Sequence, residues 1–121
     1  MSRVLVIESE PWLSEHFERV LKKHEFTVAS VPHAYAAMDE INEEQPDAIV
    51  MGLLLNGADG MALLHELQSY VDTASVPVII CSDRANELSL DELKPYGVER
   101  LIDTGVMKPD DLPAAVRSVL A

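Results

Sequence analysis

The chain is poor in several things, and each shortage excludes something. Cys81 is its only cysteine, so no internal disulfide can form and a reducing, cytoplasmic setting is the expectation. Cationic side chains are scarce: nine Lys and Arg stand against 21 Asp and Glu, a formal charge of −12 that repels a phosphate backbone and argues against direct nucleic-acid binding. Long apolar runs are missing as well. The longest, Ala48 to Leu55, falls far short of the roughly 20 residues that cross a bilayer, which argues against a membrane role. The N-terminal Val4-Leu5-Val6-Ile7 run meets Glu8 without a small-residue cleavage site, so it does not read as a signal peptide. Aromatics are few, with two Phe, three Tyr and one Trp, and the core is therefore aliphatic.

What is present is an alternation of short apolar runs with amphipathic stretches. With 121 residues the chain reads as one domain over residues 1–121. Val4–Ile7, Phe26–Val31, Asp47–Gly52, Val76–Cys81 and Arg100–Asp103 read as strands. Between them Leu13, Phe17, Val20 and Leu21 recur at helical spacing after Pro11, a residue tolerated in a first helical turn. Ala34, Ala37, Met38 and Ile41 form a second stripe; Met61, Leu64, Leu67 and Val71, behind an Asp59 cap, form a third. A fourth, shorter helix is expected over Ala85–Leu93, and a fifth with Leu112, Ala115, Val116 and Val119 facing inward. Five strands alternating with five helices through short connections predict an α/β, doubly wound parallel sheet.

The stretches at the strand ends resemble those of a response-regulator receiver domain over Arg3 to Leu120. The resemblance implies a flavodoxin-like sheet in the order 2-1-3-4-5, with a reactive pocket at the carboxyl ends of the strands. It also exposes departures. Where receivers carry Asp-Asp-Glu-Pro to hold a divalent metal, this chain has Glu8-Ser9-Glu10-Pro11, with the neutral Ser9 in place of an acid. The pattern Met-Asp-Leu-x-Leu-Pro-x-x-Asp-Gly falls without a gap on Met51 to Gly60 and puts Gly52 on the phosphoacceptor; glycine has no nucleophile. The hydroxyl after strand four is kept as Ser82. The lysine of strand five falls on Thr104, followed by Gly105 for proline, and the switch aromatic falls on Leu101. A register slipped by four residues would use Lys108-Pro109 instead, but it leaves too few residues before the helix at Leu112 and does not restore an acceptor.

Glu8, Ser9, Glu10, Gly52, Ser82 and Thr104 are thus expected to form a vestigial phosphorylation pocket, with no catalytic residue, metal or cofactor. The acids Glu8, Glu10, Asp83 and Asp103 read as a solvated remnant rather than a metal site. Gly52 leaves a void beside Glu8, and the Glu8 carboxylate is expected to fold over it and be held by Ser82, Thr104 or Arg84. Cys81 reads as a small buried hydrophobe. His16, His24, His33 and His65 are expected at the surface, and Trp12 lies off the Leu13 stripe, as a binding anchor or packed on a loop. Leu53-Leu54-Leu55 either covers the pocket or presents an apolar surface.

The resemblance implies a protein interaction module, not an enzyme, in two-component signalling. Its partner would be a histidine kinase, an output domain, another receiver or a copy of itself, met on a face that includes Glu92, Arg100, Leu101, Asp103 and Arg117. The alternatives are a phosphorelay receiver modified on a substitute carboxylate such as Glu8 or Glu10, and a small-molecule or ion sensor using the vacant sheet end.

Overall fold

Alternation between the two faces of the strands builds two cores, one on each side of a five-stranded sheet. The computed structural model describes residues 2–52 and 58–121; the expectations for Leu53, Leu54, Leu55, Asn56 and Gly57, and for the Asp59 side chain, lie outside the described residues. Strands β1 (Arg3–Ile7), β2 (Thr27–Val31), β3 (Ala48–Met51), β4 (Val78–Ser82) and β5 (Val98–Asp103) run parallel in the order β2-β1-β3-β4-β5. Leu5, Ile7, Ile49, Met51 and Ile80 point to one side, under α2 (Ala34–Glu43) and α3 (Ala58–Ser69). Val4, Val6, Val50, Ile79 and Cys81 point to the other, under α1 (Pro11–Lys23) and α6 (Asp111–Leu120). Central strands buried on both faces are continuous apolar runs for this reason.

The helix stripes are placed as expected in α1, α2 and α6: Phe17, Leu21, Ala37, Ile41, Leu112 and Val116 are buried. Helix α1 opens at Pro11 and ends with Phe26 N–H bonded to Leu21 O at 3.2 Å and Glu25 N–H to Lys22 O at 3.0 Å. That double bond pattern requires a left-handed residue, and Glu25 takes it with φ 71° although glycine is usual there.

Two expectations fail. The third helix does not run on to Val71; it stops at Ser69, and α4 (Val71–Ala74) restarts after the extended Tyr70, leaving Val71 91% exposed rather than buried. Thr73 explains the break, because its hydroxyl donates to Leu67 O at 2.6 Å and replaces a bond that a continuing helix would supply. Nor is Ala85–Leu93 one helix. A 3-10 turn at Ala85–Glu87 gives way to extended Leu88, and Ser89 then accepts the Glu92 N–H at 3.4 Å to start the single-turn α5 (Leu90–Leu93). Six α-helices stand among the described residues where five were expected.

Candidate functional site at the carboxyl end of the sheet

Strands β1, β3, β4 and β5 end side by side, and the loops that follow them surround a cleft of about 760 Å³. All six residues of the expected pocket, Glu8, Ser9, Glu10, Gly52, Ser82 and Thr104, line it. One wall is helix α1, whose Trp12, His16 and Arg19 face the cleft at i, i+4 and i+7. The sequence places Trp12 and His16 at the surface without assigning them to the pocket, although their spacing with Arg19 on one helix face shows that the three travel together.

Glu8 is only 8% exposed, an uncommon position for a carboxylate. Its side chain lies over Gly52 so closely that a Cβ built on that glycine would stand 2.6 Å from Glu8 Oε1 and 3.3 Å from Cδ. The fold-over expected from the sequence is therefore present, but the expected partners are not. Glu8 Oε2 accepts the Glu10 backbone N–H at 3.0 Å. Ser82 Oγ instead accepts the Arg84 N–H at 3.0 Å, and Thr104 reaches Ser82 through the backbone, N–H to O at 3.1 Å. The Arg84 guanidinium pairs with Glu87 through Nε at 2.7 Å and Nη2 at 3.3 Å. That exposed pair raises the Arg84 pKa and lowers that of Glu87, in each case chiefly through the hydrogen bond between them. A guanidinium that stays in water avoids the desolvation that pairing with Glu8 would demand.

Cys81 is buried beneath this floor. Desolvation, with the neighbouring Glu8 charge second, pushes its thiol up to about 12, so it is an inert packing group, as the strand pattern implied. Asp103 turns its Oδ1 to the Gly105 N–H at 2.8 Å and shapes the loop after β5.

A divalent cation does not fit this donor set. Ser9 supplies no charge, Glu8 is turned onto Gly52, and among the described residues no group of three or more His, Cys, Asp and Glu side chains could hold a metal ion.

The expected interaction face is brought together only in part. Glu92 and Arg100 are exposed, and Leu101 is half-buried against the α2–α3 core. Arg117 leaves that group, because α6 packs through Val116 and turns the next residue toward α1, where Arg117 Nη2 lies 2.6 Å from His24 Nδ1. Of the histidines, His33 has a structural task that the sequence reading missed: its Nδ1 accepts the Ala36 N–H at 3.1 Å and caps α2.

A parallel sheet in the order 2-1-3-4-5, covered on both faces and opening a cleft at its carboxyl end, defines the flavodoxin-like class. Within it, the family model "Response regulator receiver domain" matches residues 4–117, and the chain belongs to that family. It is 31% identical over 123 residues to the sensory transduction protein RegX3 of Mycobacterium tuberculosis, covering 99% of this chain and 51% of that protein. It is 27% identical to the phosphate regulon transcriptional regulatory protein PhoB of Escherichia coli, covering 98% and 51%. The chain thus spans about half the length of these curated relatives. Among solved structures, a sensor protein from Polaromonas sp. JS666 superposes with a TM-score of 0.90 at 21% identity, covering 98% of this chain and 95% of that one, which attests the shared fold. Among the described residues no helix is long and apolar enough to cross a membrane.

Proposed function

We propose that this receiver is phosphorylation-independent: a cytoplasmic protein interaction module of two-component signalling rather than an enzyme or a phosphoryl carrier. One observation carries the reading. The space that an acceptor side chain at position 52 would enter is taken by the Glu8 carboxylate, 2.6 Å from where the Cβ would stand. Glycine offers no oxygen for an acyl phosphate, and among the described residues no group of His, Cys, Asp and Glu side chains forms a cation site to activate one. The Glu8 carboxylate, held by the Glu10 N–H, keeps the sheet end in one state without a phosphoryl group.

In this reading residues 1–121 act as one module that meets a protein: a histidine kinase, an output domain, another receiver or a second copy. The exposed Glu92 and Arg100 belong to its contact face. Relatives such as PhoB are named as transcriptional regulators, but a domain with a charge of −12 works through a protein rather than by touching nucleic acid itself. The test is incubation with acetyl phosphate, and separately with beryllofluoride, in the presence of Mg²⁺. Unchanged intact mass and unchanged amide NMR shifts at Glu8, Gly52 and Ser82 are expected. A stable phosphoryl adduct on any carboxylate, or Mg²⁺-dependent shifts in the cleft, would overturn the reading.

A further inference from the structure

We infer that the groove between helices α2 and α3 is a second docking surface, fitted to a basic amphipathic helix of a partner protein. It lies apart from the sheet-end cleft and stands whether or not that cleft carries a phosphoryl group. Two depressions, of about 600 and 290 Å³, adjoin along the helices and share Met38 and Glu66 as lining residues. Their floor is largely apolar: Ala34 and Met38 come from α2, Ala62 and Leu63 from α3. On α2, Tyr35, Met38 and Asn42 follow at i, i+3 and i+7, one face of the helix and a groove wall about 10 Å long at the usual rise. The rim is aromatic at both ends. Tyr35 is 82% exposed and Tyr70 55%, and the break after Ser69 that ends α3 early is what sets Tyr70 at the rim. Gln45 Nε2 donates to Asp72 O at 2.6 Å, which ties the end of α2 to α4 and holds the groove in shape.

Charge decides which occupant fits. Between Lys23 and Arg84 the sequence has ten Asp and Glu and not one Lys or Arg, so α2 and α3 carry no cation of their own. Arg3 reaches in from β1 but is committed to Glu40 and Glu44. Glu66, shared by both depressions, and Asp72, at the far end, have no ion pair among the described residues. A helix whose apolar side chains rest on Met38 and Ala62 would bring Arg or Lys onto these two carboxylates, and a guanidinium over Tyr35 or Tyr70 adds a cation–π contact. Met38, unbranched and polarizable, adapts to the side chain laid on it. A second copy of the chain is a poorer occupant, because a net charge of −12 repels itself and the α2–α3 face offers a like face no cation.

The test is an amide NMR titration at physiological ionic strength with a capped helical peptide made of two Leu-Ala-Ala-Leu-Arg-Ala-Arg heptads. Saturable shifts confined to α2, α3 and α4 are expected. Glu66→Lys turns an attraction into a repulsion at an exposed position and should weaken the peptide about tenfold. Tyr35→Ala removes a ring that packs on little else and should weaken it about threefold. Glu15→Lys makes the same change in net charge on the exposed face of α1 and should leave the affinity within about twofold. Exchanging the peptide's Leu for Ser should abolish saturation, since the apolar floor then has nothing to cover it. Shifts scattered over the whole surface, or equal losses in Glu15→Lys and Glu66→Lys, would reduce the binding to general charge attraction and overturn the inference, as would the absence of a saturable response. Concentration-dependent self-association in sedimentation, lost in Glu66→Lys, would assign the groove to a second copy and overturn it too.

Discussion

Replacing Gly52 with alanine is the sharpest probe of the contact on which the site rests. The new Cβ would stand 2.6 Å from Glu8 Oε1 and 3.3 Å from Cδ, closer than non-bonded atoms tolerate, so the carboxylate must withdraw. Withdrawal breaks or bends the 3.0 Å bond from the Glu10 N–H, and a hydrogen bond to a charged group is worth about 1.5–3 kcal/mol. Against this, Gly52 has no positive φ, so alanine fits the backbone and gains roughly 0.4–1 kcal/mol through the unfolded chain. The balance is a loss of about 1–2 kcal/mol in the unmodified chain. With Glu8→Ala already in place the collision is gone, and the same Gly52→Ala change should be neutral or stabilising by up to about 1 kcal/mol. Urea unfolding of the four proteins, read as a double-mutant cycle, measures the coupling, with unchanged m-values as the condition for reading it. Gly52→Ala stabilising the unmodified chain, or costing the same in both backgrounds, would refute the reasoning.

Two further outcomes follow from the same structure. The Cys81 thiol, raised from 9.0 to about 12 in the folded state, holds its proton where the unfolded chain has released it; its contribution to stability is complete below pH 9 and is lost as pH rises from 9 toward 12. The slope is about 1.4 kcal/mol per pH unit over that window; it should vanish from the pH–stability profile of Cys81→Ala, and an identical alkaline fall in the variant would contradict the assignment. Glu25 ends α1 at φ 71°, where a side chain is strained, so Glu25→Gly should raise the urea midpoint by about 0.5–1 kcal/mol equivalent, and a lowered midpoint would count against that account.

Legibility in the sequence followed physical range. Runs such as Val4-Leu5-Val6-Ile7 could be read as strands because burial on both faces leaves no alternation to disguise them. The broken helices could not, since the choice at Ser69–Val71 turns on one hydroxyl, Thr73 Oγ1, finding Leu67 O across a bend, and the choice at Leu88 turns on the Ser89 cap. The convergence of Glu8, Gly52, Ser82 and Thr104 was readable because each closes a strand of one parallel sheet. The partner of Glu8 was not, because it is a backbone N–H two residues away, a donor that every residue but proline carries.

The two departures at positions 8 and 52 are best understood together. A glutamate at the end of β1 is one methylene longer than an aspartate, and that added reach brings its carboxylate across to β3. There it meets the one residue type without a Cβ, and any other side chain at position 52 would collide with Oε1. Conversely, a glycine at the end of a central strand leaves a void that lowers packing unless a neighbour enters it. Each substitution alone would cost stability, by overpacking in one case and by a cavity in the other. Joined, they close the floor of the cleft with the Glu8 carboxylate, seated over Gly52 and held by the Glu10 N–H.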